Sequence, residues 1–346
     1  MLSELIAPVQ RLALVGLAKN TGKTETLARI LAEHAQAGRI VGVTSIGRDG
    51  EQHDVIDARI DKPRILLQTG GLVASTDALL RASGVTHERL TQTGVRTPLG
   101  EVLIARLSEQ GAVEVAGPSA GEDLRVVSDA MSALGAEQVL IDGSIDRRAA
   151  SSPAVSDGLV MATGAVLSEE IEAVVAATKD AVDLVMLPVA GLPVAGELLA
   201  DAPVDGGEKH LTLPRQLVLA AEPSEIAALM REHPQADTFR VDGALSERFL
   251  EGLLAARTER AQRTLRIVVS DPTKVFLSHR GPSWYRRQGL AIEVLRTIDL
   301  KAITVNPVAP QSHRFDSQEL RGLIEAAVPD VPVLDVLDRS YLALAK

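Results

Sequence analysis

The chain has 346 residues, more than one hydrophobic core commonly serves, so two α/β units or one large sheet are expected. With 46% hydrophobic and 24% charged residues it has the composition of a globular protein, and nothing in it argues for disorder. A formal net charge of -10 without a long lysine or arginine run argues against nucleic acid as the main partner, and zero cysteines exclude disulfides, thiolate metal sites and cysteine nucleophiles.

The first segment, Met1-Leu2-Ser3-Glu4-Leu5-Ile6-Ala7, carries an acid and no basic flank, so it does not read as a signal peptide. No apolar run approaches the roughly 20 residues that span a bilayer, and a cytoplasmic protein is expected. A short apolar run, Leu12-Ala13-Leu14-Val15, ends at Gly16. From Lys23, Leu27, Ile30 and Leu31 recur at helical spacing until Gly38, and Ile40-Val41-Gly42-Val43-Thr44 reads as the next strand. Strand, glycine-rich turn, helix and strand make a parallel βαβ unit, whose crossover is right-handed.

Further strands are expected at Ile65-Leu66-Leu67, Ala112 to Ala116, Val139-Leu140-Ile141, Leu159-Val160-Met161 and Leu184 to Leu187. Helical patterns separate them at Ser75 to Ala82, Gly100 to Glu109, Leu124 to Leu134 and Ser168 to Thr178. Such alternation indicates a doubly wound, mostly parallel α/β sheet. Residues 1–190 are read as a nucleotide-binding domain and the Gly- and Pro-rich stretch 191–214 as a linker or long loop. Residues 215–346 are read as a C-terminal α/β extension that completes the same sheet or stands apart. Its strands are Leu217 to Leu219, Thr238 to Val241, Leu265 to Val269 and Ala302 to Val305.

The segment Gly16-Leu17-Ala18-Lys19-Asn20-Thr21-Gly22-Lys23-Thr24 lies at a strand-to-helix turn. Successive backbone N–H groups in such a turn wrap phosphates, and the helix N-terminus adds its positive dipole end. Lys23 then reaches the β- and γ-phosphates and the Thr24 hydroxyl ligates Mg²⁺, so ATP and Mg²⁺ are the expected cofactors. The bland alternative is a helix start that happens to read Gly-Lys-Thr. Five residues separate Gly16 from Gly22, where the usual motif has four.

Val139-Leu140-Ile141-Asp142 has the form of a strand ending in a metal-directed carboxylate; Asp142 as a turn cap before Gly143-Ser144 is the competing reading. After the second strand, Thr44-Ser45-Ile46-Gly47-Arg48-Asp49-Gly50-Glu51 occupies the place of a switch-like loop, with Asp49 and Asp54 as candidate acids or as ordinary polar-loop residues. Arg147 and Arg148 offer two guanidiniums to phosphate, to a partner or to solvent. His53 and His279 are isolated, without metal-ligand spacing, and no Gly-x-Ser-x-Gly elbow occurs. Ser278 to Arg287 is the most basic and aromatic stretch, containing Trp284 and Tyr285, and reads either as a partner-contact loop or as a covered core edge.

The five-residue spacer resembles dethiobiotin synthetase and its relatives, within the P-loop class that includes the signal-recognition and septum-site NTPases. The septum-site signature lysine falls at Ala18, with Lys19 one step off. No Asn/Thr-Lys-x-Asp element for guanine is present, and Ile303-Thr304-Val305-Asn306-Pro307 is similar to the adenine-side segment of that family. The resemblance implies that Asn306 meets the base; an Asn-Pro turn is the alternative. Dethiobiotin synthetase itself has a Lys-Pro-Val after its second strand, where this chain has Thr44-Ser45-Ile46-Gly47 and places Lys62-Pro63 much later.

Four segments, 16–24, 44–51, 113–119 and 141–147, look like the P-loop subunit of the lysine 5,6-aminomutase reactivase. That resemblance implies an ATP-driven reactivase or chaperone for an adenosylcobalamin-dependent aminomutase. It brings with it a second reactivase subunit as partner, and a homodimer is also compatible with it. The cobalamin-ligating Asp-x-His-x-x-Gly motif is absent. Two other functions stay open: an ATP-dependent ligase or amidase of the dethiobiotin synthetase and cobyrinate type, and a nucleotide-binding regulatory subunit that hydrolyses nothing.

Overall fold

The computed structural model describes residues 1–46, 64–143, 148–191, 210–213, 218, 222–234, 236–257, 264–310 and 313–338. They form an α/β protein of two compact units, Met1–Thr178 with Asp299–Lys346, and Lys179–Ile298. The first unit contains α1 (Leu2–Ile6), β1 (Arg11–Gly16), α2 (Lys23–Gln36), β2 (Val41–Ser45), β3 (Ile65–Leu67), β4 (Leu72–Thr76), α3 (Asp77–Ser83), β5 (His87–Thr97), β6 (Gly100–Leu107), β7 (Gly111–Val113), α4 (Gly121–Ala133), β8 (Gln138–Asp142) and β9 (Gly158–Gly164). Helix α5 (Ile171–Val185) follows, its residues from Lys179 belonging to the second unit. That unit continues with β10 (His210–Leu213), α6 (Pro223–Glu232), β11 (Thr238–Val241), β12 (Leu245–Ser246), α7 (Glu247–Ala256), β13 (Leu265–Val269), β14 (Val275–Phe276), α8 (Pro282–Arg287) and β15 (Leu290–Val294). The chain then returns to the first unit as β16 (Leu300–Asn306), α9 (Ser317–Ala327) and β17 (Val333–Asp335).

The first unit is built on a nine-stranded sheet in the order β17-β16-β9-β1-β8-β2-β4-β6-β5. Every pairing from β17 to β4 is parallel, and the β5–β6 hairpin joins β4 antiparallel. From β1 the chain winds one way through β8, β2 and β4, and the other way through β9, β16 and β17. Strands at this centre are covered on both faces and therefore read as unbroken apolar runs: β9 is buried throughout, and β1 from Leu12 onward. Neighbouring residues of β8 serve opposite layers. Leu140 packs with Leu27, Ile30 and Leu31 of α2, whereas Val139 and Ile141 pack with Leu124, Val127 and Met131 of α4. The second unit has its own parallel sheet, β10-β11-β13-β15, and its own core around Phe239, Phe249 and Tyr285.

Several elements differ from the sequence reading. Gly100 to Glu109, expected as a helix, is strand β6, with Val102 to Ala105 all buried; burial on both faces erased the alternation that marks a strand. Leu184 to Leu187, expected as a strand, begins as the last turn of α5, and Leu187 enters the second unit's core. The helix read at Ser75 to Ala82 starts at Asp77, since Ser75 and Thr76 close β4. The division at 190 and 215 also differs from the two units: β16 and β17 belong to the large sheet, and the second unit is an insertion between β9 and β16. A strand rejoining a sheet carries the same local pattern as one starting a new domain, so the sequence left both open. Of the expected strand at Leu217 to Leu219, Val218 is described and buried in the second unit's core, while its two neighbours and most of the 191–214 linker lie outside the described residues. Among the described residues, no helix is long and apolar enough to cross a membrane.

Candidate functional site

The carboxyl end of β1 lies between those of β8 and β9, the place where the winding of the sheet reverses and where open α/β sheets form ligand crevices. Leu17 N–H donates to Ala162 O at 2.9 Å, the last tie of the strand to its neighbour, and the chain then leaves the sheet as the 17–22 loop. The loop folds back over Gly16: a Cβ there would stand 2.6 Å from Thr21 Oγ1 and 3.2 Å from Ala18 O. Thr21 is buried, its hydroxyl donating to Ala18 O at 2.9 Å. Two left-handed residues make the turn, Asn20 at φ 67 and Gly22 at φ 87, and Asn20 is the non-glycine residue with positive φ among those described. Asparagine tolerates this conformation better than most side chains, and glycine adopts it without strain. Gly22 is the N-cap of α2.

This geometry has an electrostatic consequence. Among the described residues, none accepts a hydrogen bond from the backbone N–H groups of residues 18 to 25. The first N–H groups of any helix lack intrahelical partners; here the preceding loop extends that row of donors. Lys19 and Asn20 are exposed, as is Thr24 in the first turn of α2. Lys23, half-buried, donates from Nζ to Asp142 Oδ1, the carboxylate that ends β8. Gly143 N–H donates to Leu14 O at 2.9 Å and Ile46 N–H to Asp142 O at 3.0 Å, so β1, β2 and β8 together fix where Asp142 stands.

The other segments singled out in the sequence meet near this point. Gly117 N–H donates to Ser45 Oγ at 3.1 Å, which brings the 113–119 segment onto the end of β2. Asn306 ends β16; its Nδ2 donates to Asn20 O at 3.2 Å and its Oδ1 accepts from Val308 N–H at 3.1 Å. The structure thus brings together Gly16, Lys19, Asn20, Thr21, Gly22, Lys23, Thr24, Asp142 and Asn306. Asp49, Asp54 and Arg147 lie outside the described residues, as does the side chain of Arg148, which opens a 3-10 turn. Among the described residues, no group of three or more His, Cys, Asp or Glu side chains could hold a metal ion.

Two features were not legible in the sequence. Val336 and Asn306 line the start of α2: a Cβ on Gly22 would lie 3.1 Å from Val336 Cγ1 and 3.0 Å from Asn306 Cβ. In the second unit, half of the basic stretch is a brace. Buried Glu247 accepts from the N–H groups of Ser278 (2.8 Å), His279 (3.1 Å) and Arg280 (3.1 Å), and from Tyr285 OH at 3.0 Å. Burial alone pushes the Glu247 carboxyl up, but these donors outweigh it and hold it below the usual range. Tyr285 is fully buried, Trp284 packs edge-on against it at 5.0 Å, and Arg280 lies 5.2 Å from the Trp284 ring centre.

No protein-family model, no curated protein and no solved structure matches the chain. Its function is therefore read from the geometry of the site and from the residues that build it.

Proposed function

We propose that the chain is a P-loop NTPase that binds ATP with Mg²⁺ in the 16–24 loop. The observation that carries this reading is the row of N–H groups from residue 18 to 25, without an acceptor among the described residues, placed beside the Lys23–Asp142 pair at the carboxyl edge of the sheet. Unpaired backbone donors are costly unless water or an anion meets them, and a polyphosphate supplies several acceptor oxygens to one curved row. Lys23 is the mobile member: on arrival of the nucleotide it exchanges Asp142 for a phosphate oxygen. Asp142 and the exposed Thr24 hydroxyl are the groups that fit Mg²⁺, which favours one or two protein oxygens together with phosphate and water over a dedicated side-chain cage. Bound there, Mg²⁺ would neutralise phosphate charge, while Lys23 and the amide row would orient the phosphates and hold the developing charge.

The narrower part of the proposal is a reactivase or chaperone subunit for an adenosylcobalamin-dependent aminomutase. Its support is spatial. The described parts of the four segments that carry the resemblance meet at the ends of β1, β2 and β8, through the Lys23–Asp142, Ile46–Asp142 and Gly117–Ser45 contacts. An ATPase there does work on a partner by binding its two states unequally. The test is phosphate release from ATP with Mg²⁺, alone and with a cobalamin-inactivated aminomutase plus fresh cofactor. ATP-dependent return of mutase activity supports the reading. ADP formation that needs a small carboxylic acid and no protein points to the ligase or amidase alternative, and binding without turnover under every condition points to the regulatory one.

A further inference from the structure

The amide of Asn306 is engaged at both ends within the protein. Its nitrogen donates to Asn20 O, the carbonyl of the left-handed loop residue, and its oxygen accepts from Val308 N–H beyond Pro307. Its Cβ stands against Gly22, the N-cap of α2. The same strand is tied to the same helix one turn further in, where the buried hydroxyls of Thr26 and Thr304 meet at 2.7 Å. From the next strand, Asp335 O accepts from Arg29 Nη1 at 2.9 Å. Strands β16 and β17 therefore hold the start of α2 at three levels, and the outermost tie ends on the loop residue whose backbone is least at ease.

A residue that reads adenine needs its amide donor and acceptor turned toward the base edge. Both are turned toward backbone here. We propose that Asn306 is a positioning residue of the phosphate loop: it holds the Asn20 peptide so that the N–H row of residues 18–25 stays open, and it contributes equally to every ligand that carries the polyphosphate. This assignment rests on the nucleotide reading above and replaces base recognition as the role of this side chain.

The experiment is calorimetric titration of the whole protein with three probes, each with Mg²⁺: ATP, GTP and inorganic tripolyphosphate. Wild type is compared with Asn306→Ala and with Asn306→Asp, which keeps the shape and the acceptor for Val308 N–H but loses the donor to Asn20. Melting curves without ligand establish that each variant is folded. The expected result is that Asn306→Ala weakens all three probes by a common factor of about tenfold, for one lost hydrogen bond and a relaxed loop, that Asn306→Asp weakens them at least as much because it also adds a negative charge, and that the ATP-to-GTP ratio is unchanged in both. Weakened ATP with unaltered tripolyphosphate, or a changed ATP-to-GTP ratio, overturns the assignment in favour of base recognition. Variants that bind all three probes as wild type does overturn it without touching the nucleotide reading. A wild type that binds none of the three overturns both.

Discussion

Replacing Gly16 by alanine perturbs the loop at its tightest point. The new Cβ would lie 2.6 Å from Thr21 Oγ1, 3.2 Å from Ala18 O and 3.5 Å from Lys23 Cβ. Thr21 has no room to rotate away, since it is 1% exposed and its hydroxyl is committed to Ala18 O. Relief requires breaking that hydrogen bond or lifting the loop from the end of β1. Overpacking costs about 1–3 kcal/mol and the lost bond about 1 kcal/mol more. A loss of about 2–4 kcal/mol lowers the melting temperature of a unit of this size by roughly 5–12 °C. The lifted loop also misplaces Lys23 and the amide row, so ATP affinity falls with stability. The assay is thermal melting by circular dichroism, with and without Mg²⁺ and ATP. A Gly16→Ala protein that melts within about 1 °C of wild type and binds ATP equally well would refute the described loop closure.

Other outcomes follow from the same structure. Gly322 lies exposed within α9 with nothing within 4 Å of an added Cβ, so Gly322→Ala is expected to stabilise the protein by about 0.5–1 kcal/mol, seen as a raised melting temperature. His34 Nε2–H donates to Gln138 Oε1 at 2.9 Å, because the Gln138 amide nitrogen already serves Ile6 O and Val9 O; Nδ1 is buried without a partner among the described residues, and burial holds the His34 pKa below its ordinary 6.5. The unfolded chain takes up this proton near pH 6.5 and the folded one does not, so His34 leaves stability intact above that pH and removes it as pH falls. Melting temperature against pH should decline below 6.5 in wild type, and His34→Gln should flatten that limb; a decline unaltered in the variant contradicts the argument. Glu247→Gln weakens the brace under Ser278 to Arg280 and is expected to cost about 2–4 kcal/mol. Trp284 is the single tryptophan and lies in the second unit, so its fluorescence during urea unfolding reports that unit; the midpoint should fall by about 1–2 M, and an unmoved midpoint would count against the brace.

How much of this was legible in the sequence depends on the kind of signal. The apolar run Leu12 to Val15 ending at Gly16, with Gly22-Lys23-Thr24 opening a helix, placed the loop correctly because strand, turn and helix each leave a local mark. Asp142 was legible for the same reason, as the polar end of a buried strand. The β5–β6 hairpin was not: β6 is apolar without alternation and β5, at the sheet edge, is almost wholly polar. The return of β16 to the sheet was one of two readings the sequence left open, since pairing between residues as distant as Met161 and Ile303 has no local signature. Asn306 was found by resemblance, but the direction of its amide is set by Asn20 and Val308 and could be seen only in three dimensions. The Glu247 brace joins residues some thirty positions apart, and such a contact leaves no local mark in the sequence.

The central claim is that the 16–24 loop holds ATP. It is tested most directly by calorimetric titration of ATP with Mg²⁺ into wild type and Lys23→Ala. Wild type should bind, and loss of the charged donor that pairs with Asp142 should weaken binding by about 10- to 100-fold. Equal affinity in the two proteins, or no binding by wild type, would contradict the assignment of the loop as a nucleotide site.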